Sequence, residues 1–415
     1  MSPTNTTGKT RTILKSISVI SVLVIVGVVV FAKQQSATQD GYNTYQDELA
    51  RIQNNIHKTD PDDPKYAYQH IQLAQLTGDF ADFKKADLLL ERFPQDRELA
   101  LLHAKISLNM HDVERGAAYH HDLSSHFHDS RTQELELDIA LQKGQYDEAI
   151  HLLKTRLNPD AEWSDLARYA YLIHKFGDSN AADKIFTAAQ ESLSTKELKD
   201  YAWLELQRGI IDLEDEKYSD ALAHFESANE IYPGHWLIEE HLAETYGFLN
   251  QPQKAIKLYE RVVKHSDNPM YFFALADLLE EQQPERASQL KKIAEEKFNQ
   301  RYKYYPLAAS GHLIDAWIEE QQNQPNSKTL DRLLELSAMN LKYRPNADAQ
   351  IQRIKVLILA GQSEEAKKLT ETLLATPWRT PDVLHLAKTF NLSVPAQRSE
   401  FLPDAVINNE VFAVR

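Results

Sequence analysis

The feature that most constrains this chain is a pattern of small and aromatic residues that recurs after 34 residues. Residues 202–235 carry small residues at positions 8, 20 and 27 of the segment, an aromatic residue at 24 and a proline at 32. These residues are Gly209, Ala221, Ala228, Phe225 and Pro233. In residues 236–269 the first four of these positions hold Ala243, Ala255, Val262 and Tyr259. A period of this length predicts a repeated unit that buries its apolar face by stacking on its neighbours.

The spacing of the small residues fits two antiparallel helices that cross closely. Ala221 lies early in the second helix and is expected to face Gly209 of the first helix. Phe225 is expected to fill the space against the following hairpin, and Tyr259 does the same one repeat later. Pro233 ends the second helix, because proline cannot continue a helix. Each segment is therefore predicted to form one helical hairpin.

These two segments resemble the tetratricopeptide repeat (TPR) family at the positions just named. The resemblance implies an all-α fold: a right-handed superhelical solenoid of antiparallel helix hairpins, here preceded by one N-terminal transmembrane helix. The array is expected to cover residues 61–380, with weaker copies of the pattern in residues 97–128, 130–160, 163–194, 269–300 and 347–377. A polar spacer, residues 33–60, would lead into the first helix. Residues 381–415 would form a capping helix and a C-terminal tail.

The composition supports a helical chain and narrows its chemistry. Glycine is scarce, with 12 in 415 residues, and this favours helix because glycine loses the most backbone freedom there. The absence of cysteine excludes disulfides, cysteine nucleophiles and thiolate metal sites. The formal net charge of −15 would repel phosphates, so no nucleic-acid partner is expected.

A single long apolar run, Ser16–Ala32, lies near the N-terminus and is just long enough to span a bilayer as a helix. Three basic residues lie in residues 1–15, so this segment is expected to stay in the cytoplasm while the body is exported. The predicted location is a bacterial inner membrane, single-pass, with the C-terminal body on the periplasmic side. The alternative is a signal peptide cleaved near Ala32, which would leave a soluble periplasmic or secreted adaptor.

The sequence contains no recognisable catalytic arrangement. It lacks a G-x-S-x-G nucleophile elbow, a phosphate-binding loop and an H-E-x-x-H zinc motif. Its many carboxylates lie at spacings typical of the solvated faces of helices. We therefore predict a protein that is not an enzyme and has no cofactor.

Histidines and acids are concentrated between His111 and Asp129. The central histidines are His120, His121, His126 and His128. Histidine and carboxylate side chains are good ligands for zinc, nickel or copper, so a periplasmic metal-handling protein is one alternative function. The spacing fixes no ligand set, and a solvated loop between repeats explains the same residues.

The family resemblance also implies where partners would bind, because the first helix of each TPR hairpin lines a concave surface that binds peptides. The corresponding residues here are Tyr171, His174, Trp203, Glu240, Glu244, Met270, Phe273 and Asp277. This lining is aromatic, aliphatic and acidic, and it suits a partner segment with apolar anchors and Lys or Arg. It lacks the basic residues with which some members of the family grip the C-terminal carboxylates of chaperones. The predicted function is therefore a non-enzymatic protein–protein interaction scaffold or adaptor of the cell envelope, with envelope or membrane proteins as partners.

Overall fold

Every regular element that the structure describes is a helix, which confirms the predicted all-α class for this part of the chain. The computed structural model describes residues 44–93, 96–158, 161–194, 197–323 and 325–403. In chain order the helices are α1 (Tyr45–Lys58), α2 (Pro64–Thr77), α3 (Phe80–Leu90), α4 (Arg97–Asn109), α5 (Val113–Ser124), α6 (Ser130–Gln142), α7 (Tyr146–Arg156), α8 (Trp163–Lys175), α9 (Ser179–Glu191), α10 (Leu198–Glu214), α11 (Tyr218–Ile231), α12 (Trp236–Phe248), α13 (Pro252–His265), α14 (Pro269–Leu279), α15 (Pro284–Tyr304), α16 (Pro306–Asn323), α17 (Ser327–Tyr343), α18 (Ala347–Leu359), α19 (Ser363–Leu374), α20 (Pro381–Thr389) and a short 3-10 helix (Ser399–Phe401).

The described helices form two compact units, each assembled from two separate stretches of sequence. Unit 1 takes residues 44–106 and 197–312 of the described chain, and unit 2 takes residues 107–194 and 313–403. The sequence predicted one continuous array over residues 61–380 and gave no sign of this division.

Successive helices pair into hairpins, as the sequence repeat predicts. In unit 1, α10 packs on α11, α12 on α13 and α14 on α15, and in unit 2 α8 packs on α9 and α18 on α19. The crossing of α10 and α11 is close: a Cβ added to Gly209 would lie 2.5 Å from the Phe225 ring. The same ring stacks on His241 of α12, with ring centroids 5.3 Å apart. One aromatic residue thus joins its own hairpin to the next.

The remaining repeat positions of these two hairpins are small or aromatic side chains that the structure buries completely. They are Ala221, Ala228, Ala243, Ala255 and Tyr259, and the valine at the last of these positions, Val262, is buried as completely. Helix α11 ends at Ile231, two residues before Pro233. These side chains leave no cavity at the helix crossings and do not push the helices apart, so the helices pack closely.

Helix α1 lies in the stretch that the sequence assigned to a polar spacer. Thr44 caps it by accepting a hydrogen bond from the Asp47 amide, and acids occupy its first turn, where they favour a helix N-terminus. Tyr45 and Ile52 are nevertheless buried in unit 1. Within the described part of this stretch, the polar composition therefore conceals an amphipathic helix, Tyr45–Lys58.

The start of α1 is held against the α11–α12 connection within unit 1. The Tyr45 amide donates to the Pro233 carbonyl at 3.2 Å. The buried Glu48 carboxylate accepts two hydrogen bonds from Lys199 Nζ, at 2.8 and 3.0 Å, and another from the Tyr232 hydroxyl. A carboxylate satisfied in this way fixes α1 on the repeats.

The α2–α3 turn docks on unit 1 in the same manner. The Trp236 indole N–H donates to the Leu76 carbonyl at 3.0 Å, and Gly78 adopts a positive φ of 67° beside that ring. A Cβ on Gly78 would lie 2.9 Å from the indole. Arg301 donates to the Gly78 carbonyl at 3.1 Å and stacks over Phe80. These contacts make the N-terminal helices part of the packed unit.

In unit 2, helices from its two separate stretches, residues 107–194 and 313–403, also contact each other. The Tyr146 hydroxyl accepts a hydrogen bond of 2.7 Å from the Ala347 amide at the start of α18. The Arg379 amide donates to the Lys175 carbonyl at 2.8 Å. Contacts at such sequence separation explain why the unit is built from two stretches.

No helix in the described ranges is both long and apolar enough to cross a membrane. The predicted membrane segment, residues 16–32, lies outside the described residues, as do residues 1–15 before it and the end of the tail, residues 404–415.

Candidate functional site

The residues predicted to line a partner-binding groove are largely buried by the chain itself. Tyr171, His174 and Met270 are nearly inaccessible, and Glu240 and Glu244 are fully buried. Trp203, Phe273 and Asp277 are the predicted lining residues that keep some exposure. Tyr171 and His174 belong to unit 2, whereas the other six belong to unit 1. Their assignment to partner binding stays a prediction, and for Glu240 and Glu244 it requires that their covering move.

The two buried glutamates form a cluster with a histidine on the same helix. Glu240, His241 and Glu244 lie on α12, where residues four apart share one face. One potential ligand atom from each of the three side chains lies within 4.8 Å of the other two. His241 Nδ1 is 3.0 Å from Glu240 Oε2 and 3.6 Å from Glu244 Oε2. The three polar groups therefore converge on one point.

None of the three side chains in this cluster has a hydrogen-bond partner of acceptable geometry. Both carboxylate oxygens of Glu240, both of Glu244 and both ring nitrogens of His241 are buried and unsatisfied. Buried polar groups are normally hydrogen-bonded, and an unsatisfied buried group costs about 1–3 kcal/mol. Six such atoms in three neighbouring side chains would destabilise the fold unless another group satisfies them.

Aromatic side chains from neighbouring helices surround the cluster. Phe225 of α11 stacks on the His241 ring at an interplanar angle of 19°. The Tyr259 hydroxyl of α13 is buried and also lacks a hydrogen-bond partner. Burial, and then the charges of Glu240 and Glu244, raise the pKa of Tyr259. Three helices therefore enclose one polar point in an otherwise apolar interior.

The enclosure favours the uncharged form of every member of the cluster. Burial raises the pKa of Glu240 to about 8. Burial, followed by the charge of Glu240, raises the pKa of Glu244 well above its ordinary value. Burial lowers the pKa of His241 to about 3. The cause is the same in each case, since removing water disfavours whichever form carries charge.

This arrangement can hold a cation or a set of shared protons. From the sequence, Glu240 and Glu244 are predicted at groove positions, whereas no role is predicted for His241. The missed signal is the run Glu-His-x-x-Glu within one helical repeat, which puts two carboxylates and an imidazole within reach of each other.

The histidine-rich segment does not assemble into a comparable cluster. Within the described ranges, the group on α12 is the one set of three or more His, Asp or Glu residues close enough to hold an ion. His111 Nδ1 instead lies 2.9 Å from Arg344 Nη1. Asp129 caps α6. His126 Nδ1 contacts the Ser125 hydroxyl at 2.6 Å. The predicted candidates His120, His121, His126 and His128 are thus not gathered around one point.

Two of the three predicted lining residues that keep some exposure, Phe273 and Asp277, lie on α14, and Trp203 lies on α10. The Asp277 carboxylate pairs with Lys291 Nζ at 3.2 Å, and Glu280 pairs with the same ammonium at 3.1 Å. Their side chains are 18% and 64% exposed, respectively. Phe273, one turn before Asp277, is half-buried. The C-terminal end of this helix therefore places a partly exposed aromatic residue near one mostly buried carboxylate, Asp277, and one accessible carboxylate, Glu280.

No family model matches the chain, and no curated protein sequence is similar to it. Among solved structures, the crystal structure of yeast Tom70 is 17% identical with a TM-score of 0.36, and the alignment covers 86% of this chain. The chain spans 65% of the length of that Tom70 chain. The human IFIT1 dimer with PPP-AAAA is 13% identical with a TM-score of 0.41, over 90% of this chain and 95% of that one. The helical hairpins of this chain are shown by its own helices and their packing.

Proposed function

We propose that this protein is a non-enzymatic interaction scaffold of the bacterial cell envelope. Residues 16–32 would hold it in the inner membrane, and the helical units would lie on the periplasmic side. The partners would be other envelope or membrane proteins. The observation that carries the proposal is the stack of helical hairpins, which leaves an aromatic and acidic edge accessible on α14.

The α14 edge is suited to a partner that brings an apolar side chain and a cation. Phe273 offers apolar surface, and Asp277 and Glu280 offer negative charge that Lys291 partly offsets. The Lys291 side chain is 37% exposed, and an ion pair this accessible contributes only about 0–1 kcal/mol. A lysine or arginine from a partner can therefore replace Lys291 at little cost.

Site-specific photocrosslinking tests this surface. A photoreactive amino acid in place of Phe273 should give one discrete adduct in cells that express the full chain. The same substitution at Leu384 is the matched control, because this apolar residue on α20 is 45% exposed but has no predicted partner role. Absence of an adduct at position 273, or equal adducts at both positions, would argue against a partner on α14.

The membrane assignment needs a separate measurement. We expect the full-length protein to sediment with inner membranes, to resist extraction by high salt and to keep Met1 at its N-terminus. An intact mass that begins at Lys33 would instead support a cleaved signal and a soluble adaptor. These two outcomes test the membrane anchor independently of the scaffold function, because neither changes the expected crosslink at position 273.

A further inference from the structure

We infer that Glu240, His241 and Glu244 bind one divalent transition-metal ion inside unit 1. The inference rests on three observations: the convergence of their donor atoms, their complete burial and the lack of any hydrogen-bond partner. It does not depend on the proposed scaffold function.

The distances between the donor atoms fit a metal site. Ligand atoms bound to one ion at about 2.1 Å in tetrahedral geometry lie about 3.4 Å from each other. His241 Nδ1 lies 3.0 and 3.6 Å from the two carboxylate oxygens, on either side of that separation. These two separations therefore match those of atoms bound to one shared ion.

The donor set narrows the identity of the ion. One imidazole nitrogen and two carboxylate oxygens suit zinc, iron or manganese better than ions that select sulfur. Calcium prefers six to eight oxygen ligands, which this enclosed cluster does not supply. The Tyr259 hydroxyl, buried and without a partner, is available as a further ligand or as a hydrogen-bond partner to one.

Charge balance also favours a divalent ion. Two ionised carboxylates and a neutral imidazole carry a charge of −2, which a divalent cation neutralises. Within a fully buried site, an uncompensated charge is strongly unfavourable, so neutrality of the loaded cluster matters. The ion would also satisfy oxygen and nitrogen atoms that otherwise have no partner.

A metal-binding measurement on the full chain in detergent tests the inference. Zn²⁺ and Mn²⁺ are titrated separately into protein stripped with chelator, followed by calorimetry and by metal analysis after gel filtration. We expect one ion per chain for at least one of the two metals, with a higher unfolding temperature in its presence. The variants Glu240→Gln and Glu244→Gln should each weaken binding at least tenfold, because each keeps the side-chain volume but removes an anionic ligand.

Two controls assign the bound ion to this cluster. Glu260→Gln removes a carboxylate from a surface pair with Arg286, so it should leave binding unchanged. The double change His126→Ala and His128→Ala removes two exposed histidines of the histidine-rich segment and should also leave the stoichiometric site intact. Circular dichroism confirms that the glutamine variants remain folded.

Two results would overturn the inference. The first is that neither metal binds the stripped wild-type protein more tightly than it binds the Glu240→Gln, Glu244→Gln double variant. The second is that the ion is lost with His126 and His128 but retained by both glutamine variants. Either outcome would mean that shared protons, rather than a metal ion, satisfy the cluster on α12.

Discussion

Replacing Gly209 by alanine should destabilise the protein, although alanine is the better helix former. In an exposed helix this substitution stabilises by about 1 kcal/mol. At Gly209 the added Cβ would lie 2.5, 2.7 and 2.9 Å from three atoms of the Phe225 ring. Carbon atoms in favourable contact are about 3.5–4.0 Å apart, so the ring must retreat by roughly 1 Å.

The Phe225 ring has no free space into which it can move. It is fully buried and stacks on His241 of the next hairpin. Overpacking of a well-packed core costs about 1–3 kcal/mol. Because the Phe225 ring cannot move away from the added Cβ, we expect a cost near the upper value. After the gain in helix propensity, we expect a net loss of about 2 kcal/mol.

Urea denaturation followed by circular dichroism measures this loss, with Gly311→Ala as the matched control. Gly311 also lies in a helix, but an added Cβ there meets nothing within 4 Å. The control should therefore gain about 0.5–1 kcal/mol.

A second substitution tests the cause of the loss. Phe225→Leu removes the ring atoms that the Cβ would meet, so Gly209→Ala should cost at least about 1 kcal/mol less in that background than in the wild type. Equal costs in both backgrounds, or a Gly209→Ala variant as stable as the wild type, would refute the close-crossing account of the repeat.

Three further predictions concern the two units. Burial raises the pKa of Asp315 to about 7 from 3.8, so the folded state holds an extra proton between these values and stability falls as the pH rises through this window. Asp315→Asn should remove that slope and stabilise the protein by about 2–4 kcal/mol at pH 8 but not at pH 4, as measured by urea titrations at both pH values. Glu48→Gln should weaken the docking of α1, because it replaces the buried partner of Lys199, and cleavage within α1 by a protease should become faster. Trp236→Phe leaves the Leu76 carbonyl without its indole donor and should cost about 1–3 kcal/mol in urea denaturation, whereas an unchanged midpoint would show that water replaces the bond.

The local repeat was predictable from the sequence because its constraints are local. The crossing of α10 and α11 depends on Gly209 and Phe225, which lie 16 positions apart and leave a visible mark in residue type. The division into two units was not predictable in this way. It depends on contacts such as Tyr45 with Pro233 and Tyr146 with Ala347, which use backbone groups and one tyrosine hydroxyl and carry no sequence signature.

Helix α1 and the cluster on α12 were missed for different reasons. In α1 the acids and amides outnumber the apolar residues, so its few buried side chains do not stand out from a polar linker. On α12 the family resemblance implies a separate groove position for Glu240 and for Glu244. The property that matters is joint: two carboxylates and His241 share one enclosed point, and only the structure shows the enclosure.

The burial of Glu240, His241 and Glu244 makes two possible roles of this cluster, partner binding and metal binding, distinguishable by experiment. A partner's lysine could contact Glu240 or Glu244 only after the surrounding helices moved apart, because neither residue has any exposed surface. A metal ion makes the opposite demand, since its ligands must stay together and its binding would hold the helices closed. The two roles therefore give opposite expectations for one variant. If the cluster is a metal site, Glu244→Gln abolishes metal stabilisation and leaves crosslinking at position 273 intact; if it is part of an opening groove, the same change weakens crosslinking and leaves the unfolding temperature insensitive to metal.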